Sequence, residues 1–140
     1  MSPSPTIEVL YVEDSAGDAL LTKHILSEFL QPVKLSIARD GSQALTMLAD
    51  DDFKPDLIIL DLDLPLLSGF EVLERNPRKD IPVVVFSASM QTSDVERTLL
   101  LGAKEYIHKP TDTPDYRKAV LGMVRNWAMP DANSRGAVTP

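Results

Sequence analysis

Cysteine is absent from this chain, so neither a disulfide framework nor a thiolate zinc site can form. That absence sets the expectation of a cytoplasmic protein. Aromatic residues are few, at one Trp, three Tyr and four Phe. The apolar content is therefore mostly aliphatic, which suits an α/β core better than a β-sandwich. No apolar run is long enough to span a bilayer, and Met1–Pro5 lacks the charged-then-apolar pattern of a secretory signal. Basic residues are outnumbered 14 to 21, for a net charge of -7. That balance argues against electrostatic binding to nucleic acid or to an anionic membrane. No helix-turn-helix pattern or basic arm is visible, so any regulatory output is expected to pass through another protein. His24 and His108 do not have metal-ligand spacing and are read as structural.

What the chain does have is alternation. Its 140 residues fit one domain. Strand candidates are Ile7–Val12, Val33–Ile37, Asp56–Leu60, Val83–Phe86 and Lys104–Ile107. Between them lie helical patterns over Ser15–Leu30, Ser42–Ala49, Phe70–Arg75 and Ser93–Leu101. The fourth is introduced by Ser93 and Glu96 as a capping box, and Gly102 suits the left-handed residue that ends it. A fifth helix is expected to have Thr113 as its N-cap and Pro114 at its first position, and Tyr116, Val120, Val124 and Trp127 line one of its faces. Five strands alternating with five helices imply right-handed crossovers and a doubly wound, five-stranded parallel sheet. Residues 7–128 form the expected domain, with a disordered start over 1–6 and a loose tail over 129–140.

In such a sheet, ligands gather beyond the carboxyl ends of the strands. The run Leu57–Gly69, L-I-I-L-D-L-D-L-P-L-L-S-G, is a short buried strand ending in the carboxylate of Asp61. The first strand ends in Glu13-Asp14, the fourth in Ser87-Ala88-Ser89, and the fifth is followed by His108-Lys109-Pro110. Three carboxylates, a hydroxyl and an ammonium thus converge on one edge. Clustered carboxylates repel unless a cation sits among them, and hard oxygen ligands suit Mg2+. A carboxylate attacking phosphorus yields an aspartyl phosphate, and a lysine beside it stabilises the transferring group. Each residue also has a plainer reading. Glu13-Asp14 is equally a helix-start acidic pair, Ser87 a turn residue and Lys109 a solvated side chain.

Together these residues carry a resemblance. From Ile7 to Trp127 the chain resembles the receiver domain of two-component response regulators. The matching motifs are V-E-D-S at Val12–Ser15, L-D-L-D-L-P at Leu60–Pro65 with Gly69, F-S-A at Phe86–Ala88, and K-P at Lys109-Pro110. The resemblance implies a flavodoxin-like (βα)5 fold with strand order 2-1-3-4-5. It makes Asp61 the phosphoacceptor, charged by a sensor histidine kinase or phosphotransfer protein. It implies Mg2+ held by Asp14, Asp61 and the backbone carbonyl of Asp63, with Glu13 acting through water. Ser87, the backbone N–H of Ala88 and Lys109 would bind the phosphoryl group, and Tyr106 would be the aromatic switch. The bond before Pro110 would be cis. Asp63 departs from the residue many receivers carry there, and the stretch Arg75–Asp80 looks short, which predicts a truncated third helix.

The opening of the chain is similar to small stand-alone receivers paired with phytochrome-like or hybrid sensor kinases. Output would then be protein–protein, including a homodimer through the last helix–strand–helix face, and the chain would be a switch and not an enzyme. An enzyme alternative remains, because D-L-D-L also resembles the nucleophile motif of haloacid-dehalogenase-like phosphatases. Steady turnover of phosphate monoesters would mark that reading. A third is a docking module that is never phosphorylated, which would bind no phosphate analogue in the presence of Mg2+.

Overall fold

The computed structural model describes residues 5–89 and 91–129. β1 (Ile7–Val12), β2 (Val33–Ala38), β3 (Leu57–Leu60), β4 (Val83–Ser87) and β5 (Glu105–His108) form one sheet in the order β2-β1-β3-β4-β5. All four pairings are parallel, as the alternation of elements requires. α1 (Ala16–Ser27), α2 (Gly41–Leu48), α3 (Gly69–Arg75), α4 (Thr92–Leu100) and α5 (Thr113–Met123) fill the connections, and α5 continues as a π-helical turn over Val124–Ala128.

The side-chain period of two along a strand divides the core. Val9, Tyr11, Leu57, Ile59, Val84 and Phe86 point to one face and pack with Ile25 of α1 and Tyr116 and Val120 of α5. Leu10, Val12, Ile58, Leu60, Val83 and Val85 point to the other and pack with Leu48 of α2 and Val72 and Leu73 of α3. β3 and β4 are buried along their whole length, so their unbroken apolar runs serve two faces at once. Each such Leu or Ile contributes roughly 1.5–3 kcal/mol by leaving water.

Local chemistry sets the ends of the helices. Ser15, Asp40, Ser68 and Asp112 each accept a backbone N–H three residues on, capping α1, α2, α3 and α5. Three expectations need correction. α4 begins at Thr92 with Gln91 as an unbonded cap, so Ser93 lies inside the first turn and forms no capping box. The cap of α5 is Asp112, one residue before Thr113, because its carboxylate reaches the Asp115 N–H at 3.0 Å. α1 also stops at Ser27, short of the expected Leu30. The short α3 and the positive φ of Gly102, +109°, match the reading of the sequence. Residues 1–4 and 130–140, where the disordered start and most of the tail were expected, lie outside the described residues.

Candidate functional site

The five carboxyl ends do share one edge. β1 runs straight into Glu13 and Asp14, and β3 into Asp61, one step beyond the paired residues Val12 and Leu60. The Asp61 N–H donates to the Val12 carbonyl at 3.1 Å, which holds the two exits together. Glu13, Asp14 and Asp61 each present a carboxylate oxygen, and these oxygens lie within 4.8 Å of one another. Glu13 and Asp61 are buried while Asp14 is exposed.

Lys109 enters from the end of β5, where its N–H donates to the Ser87 carbonyl at 2.8 Å. Its Nζ lies 2.5 Å from Glu13 Oε1, 2.9 Å from Asp18 Oδ2 and 3.9 Å from Asp61 Oδ2. Glu13 is held from three sides. Oε1 also accepts from the Tyr11 hydroxyl at 3.0 Å, and Oε2 accepts from the Ser15 N–H at 3.1 Å. The hydroxyl of Tyr11 lies 3.3 Å from that of Tyr116, which in turn lies 2.8 Å from Thr22 Oγ1. This buried relay ties the acidic pocket to α1 and α5.

Charge in the pocket is unbalanced. Burial, and then the Glu13 carboxylate beside it, push Asp61 up to about 7, against the opposing pull of Lys109. Burial works against the charge on Lys109, but hydrogen bonds to Glu13 and Asp18 outweigh it and hold the ammonium above its usual range. A hard divalent cation would relieve this crowding and favour ionised Asp61, and the oxygen-only donor set fits one.

Around the rim, Asp63 is exposed, and its N–H lies 3.4 Å from Asp61 Oδ1. Its side chain is not part of the carboxylate cluster. Ser87 is fully buried and its Oγ accepts from the Ser89 N–H at 3.4 Å, while Ala88 is exposed. Tyr106 is half-buried and donates its hydroxyl to the Ser89 carbonyl at 2.7 Å. His24 and His108 are exposed. One expectation fails: the Lys109–Pro110 bond is trans, since no described peptide is cis. Trans is the lower-energy isomer even before proline, by about 0.5–1 kcal/mol. Asp18, Tyr11 and Thr22 escaped sequence reasoning. Asp18 reads as an ordinary first-turn acid, and no local pattern says that it faces β5.

The sequence profile described as the response regulator receiver domain matches residues 9–121. The chain belongs to this family. The receiver is 35% identical to the response regulator Rcp1 of Synechocystis, over 89% of this chain and 90% of that protein. The crystal structure of the Mn2+-bound form of Rcp1 superposes with a TM-score of 0.79, at 34% identity, over 89% of this chain and 96% of that one. The phosphorylated cyanobacterial phytochrome response regulator RcpA gives 0.82 at 32% identity, over 88% and 94%. A protein-glutamate methylesterase/protein-glutamine glutaminase of Trichodesmium erythraeum is 35% identical over 83% of this chain but only 34% of that protein. The same receiver therefore recurs as a part of larger enzymes. Membership in this family sets aside the haloacid-dehalogenase-like alternative, in keeping with Asp63 standing apart from the carboxylate cluster.

Proposed function

We propose that this receiver takes a phosphoryl group onto Asp61 from a sensor histidine kinase or phosphotransfer protein and signals through protein–protein contacts. The observation that carries the reading is the buried Asp61 carboxylate, flanked by Glu13 and Asp14 on one side and 3.9 Å from the Lys109 ammonium on the other. An Asp61 oxygen attacks phosphorus, the P–N bond to the donor histidine breaks, and its electron pair leaves on the imidazole nitrogen. Asp14, Asp61 and the Asp63 backbone carbonyl would hold Mg2+, with Glu13 reached through water. When bound, the ion supplies positive charge against the phosphoryl oxygens.

Lys109 pairs with one phosphoryl oxygen. The Ser87 hydroxyl and the Ala88 N–H donate to others. Drawing Ser87 towards the phosphoryl group loosens the Ser89 turn, to which Tyr106 is bonded, and frees that ring to turn inward. The change is passed to the α4–β5–α5 face. There Leu99 and Leu100 are exposed, which supports a homodimer through this face. A donor charged from ATP puts the exchange in the cytoplasm, and the acidic chain favours protein partners over nucleic acid or membrane. The chain acts as a switch, with chemistry confined to its own aspartyl phosphate.

The test is uptake of alkali-labile phosphate from acetyl phosphate with Mg2+, followed by intact mass. Wild type is expected to gain one phosphoryl group and Asp61→Asn none. Undiminished labelling of Asp61→Asn removes Asp61 as the acceptor.

A further inference from the structure

Lys109 does not serve its three neighbouring carboxylates equally. An ammonium has three donors. One goes to Glu13 at 2.5 Å and one to Asp18 at 2.9 Å, while Asp61 at 3.9 Å stands beyond hydrogen-bond range. The two bonds differ in kind. Glu13 is buried and is also tied to Tyr11 and Ser15, so its bond belongs to the core. The Asp18 side chain is 33% exposed, and among the described residues its carboxylate meets Lys109 alone. The Asp18 backbone has separate duties. Its N–H is capped by Ser15 at 3.2 Å, and its carbonyl accepts from the Tyr116 hydroxyl at 3.3 Å. Changing the side chain therefore leaves both of these backbone bonds in place.

We propose that Asp18 is a positioning residue whose carboxylate competes for the Lys109 ammonium and so sets how much of that charge reaches a phosphoryl group on Asp61. The inference rests on the reading of Asp61 as acceptor. Tertiary structure creates the competition: α1 delivers Asp18 one turn past its cap, and β5 delivers Lys109 from 91 positions away. As negative charge builds on Asp61, the Asp18 bond is the one to give. Water can solvate Asp18 once it is released, whereas Glu13 has no such access. Asp18 thereby lowers the affinity of the pocket for a phosphoryl-like anion.

The full chain is titrated with beryllofluoride in the presence of Mg2+, followed by fluorine NMR, for wild type, Asp18→Asn and Asp18→Glu. The acetyl phosphate concentration giving half-maximal phosphorylation is measured alongside. Asp18→Asn should bind beryllofluoride roughly fivefold more tightly and reach half-maximal labelling at a correspondingly lower donor concentration, as expected when one part-exposed ion pair stops competing. Asp18→Glu restores the carboxylate and should stay within about twofold of wild type. A purely structural role would lower the melting temperature and leave anion affinity unchanged or weaker. Equal or weaker beryllofluoride binding by Asp18→Asn overturns the proposal while the acceptor reading stands. If wild type binds no beryllofluoride yet is labelled by acetyl phosphate, the proposal falls and the acceptor reading stands; if it does neither, both fall.

Discussion

Tyr11 of β1 donates a hydrogen bond across 3.0 Å to Glu13, the residue just past the end of that strand. The period of the strand puts both on one face, so the last core tyrosine of the strand holds the first acid of the site. Burial, followed by the neighbouring Tyr116 and Glu13, raises the Tyr11 phenol far above its ordinary value, and burial raises Tyr116 as well. Both therefore remain neutral donors at any physiological pH. Tyr11→Phe keeps the ring and removes the donor, and should cost about 1–2 kcal/mol in urea unfolding. Tyr116→Phe should cost a similar amount. Because the two hydroxyls belong to one relay, the double variant should lose less than the sum of the single losses. Strict additivity would show that the relay does not act as a unit.

The raised Asp61 makes metal-free stability depend on pH. Its carboxyl ionises near 3.8 when unfolded and at about 7 in the fold. Between those values the unfolded chain has released a proton that the folded chain retains. Stability therefore falls as pH rises through this window, by about 1.4 kcal/mol per unit, and levels off above it. Lys109, held above its usual range, stays charged throughout. In EDTA, Asp61→Asn should lose this slope. It should exceed the parent by about 2 kcal/mol or more at roughly pH 8, with the gap closing near pH 5. Added Mg2+ should narrow the difference at the higher pH, because a cation favours the ionised carboxylate. Denaturation at several pH values, with and without the metal, checks both statements.

Gly69 sits where a side chain cannot go. A Cβ there would meet the Asp61 carbonyl at 2.5 Å and the Leu62 Cα at 2.7 Å. The obstacles are backbone, and the Gly69 N–H is bonded to the Leu62 carbonyl at 3.0 Å, so nothing yields cheaply. Gly69→Ala is expected to destabilise the fold by about 1–3 kcal/mol. Because the strain falls on the carbonyl of Asp61 itself, labelling by acetyl phosphate should also slow, while Gly122→Ala, where a Cβ meets open space, should leave labelling unchanged.

Leu66 adopts φ +69°, and the Leu67 N–H bonds the Pro65 carbonyl at 2.8 Å, the span of a γ-turn. This left-handed conformation costs a branched residue roughly 1–2 kcal/mol, and Leu66 is 79% exposed and so recovers little by burial. Leu66→Gly relieves the strain but loosens the unfolded chain, leaving an expected net gain of up to about 1 kcal/mol. A clear loss in Tm would mean that the Leu66 side chain supports the loop despite its exposure.

Much of this molecule was legible from pattern alone. Short apolar runs ending in Asp61 and Ser87, alternating with helical periodicity, dictate strands buried on both faces, and a parallel sheet then brings their carboxyl ends to one edge. Hence Glu13, Asp14, Asp61 and Lys109 could be grouped before any geometry was known. The boundaries of α4 and α5 were less legible, because Ser, Thr and Asp compete for a cap and the winner depends on which oxygen meets an open N–H. The isomer before Pro110 was likewise open, since an X–Pro bond tolerates both forms.

Chain order thus determined the layers and the roster of charged groups at the site, because period and punctuation are local properties, while the strand order came from the resemblance to receiver domains. Only the tertiary structure decided how that roster is wired. It put Asp18 of α1 against Lys109, one residue past β5, and ran a hydroxyl relay from Tyr116 through Tyr11 to Glu13. Those partners are 91 and 105 positions apart, and no local pattern encodes a distance that helix packing against a twisted sheet sets.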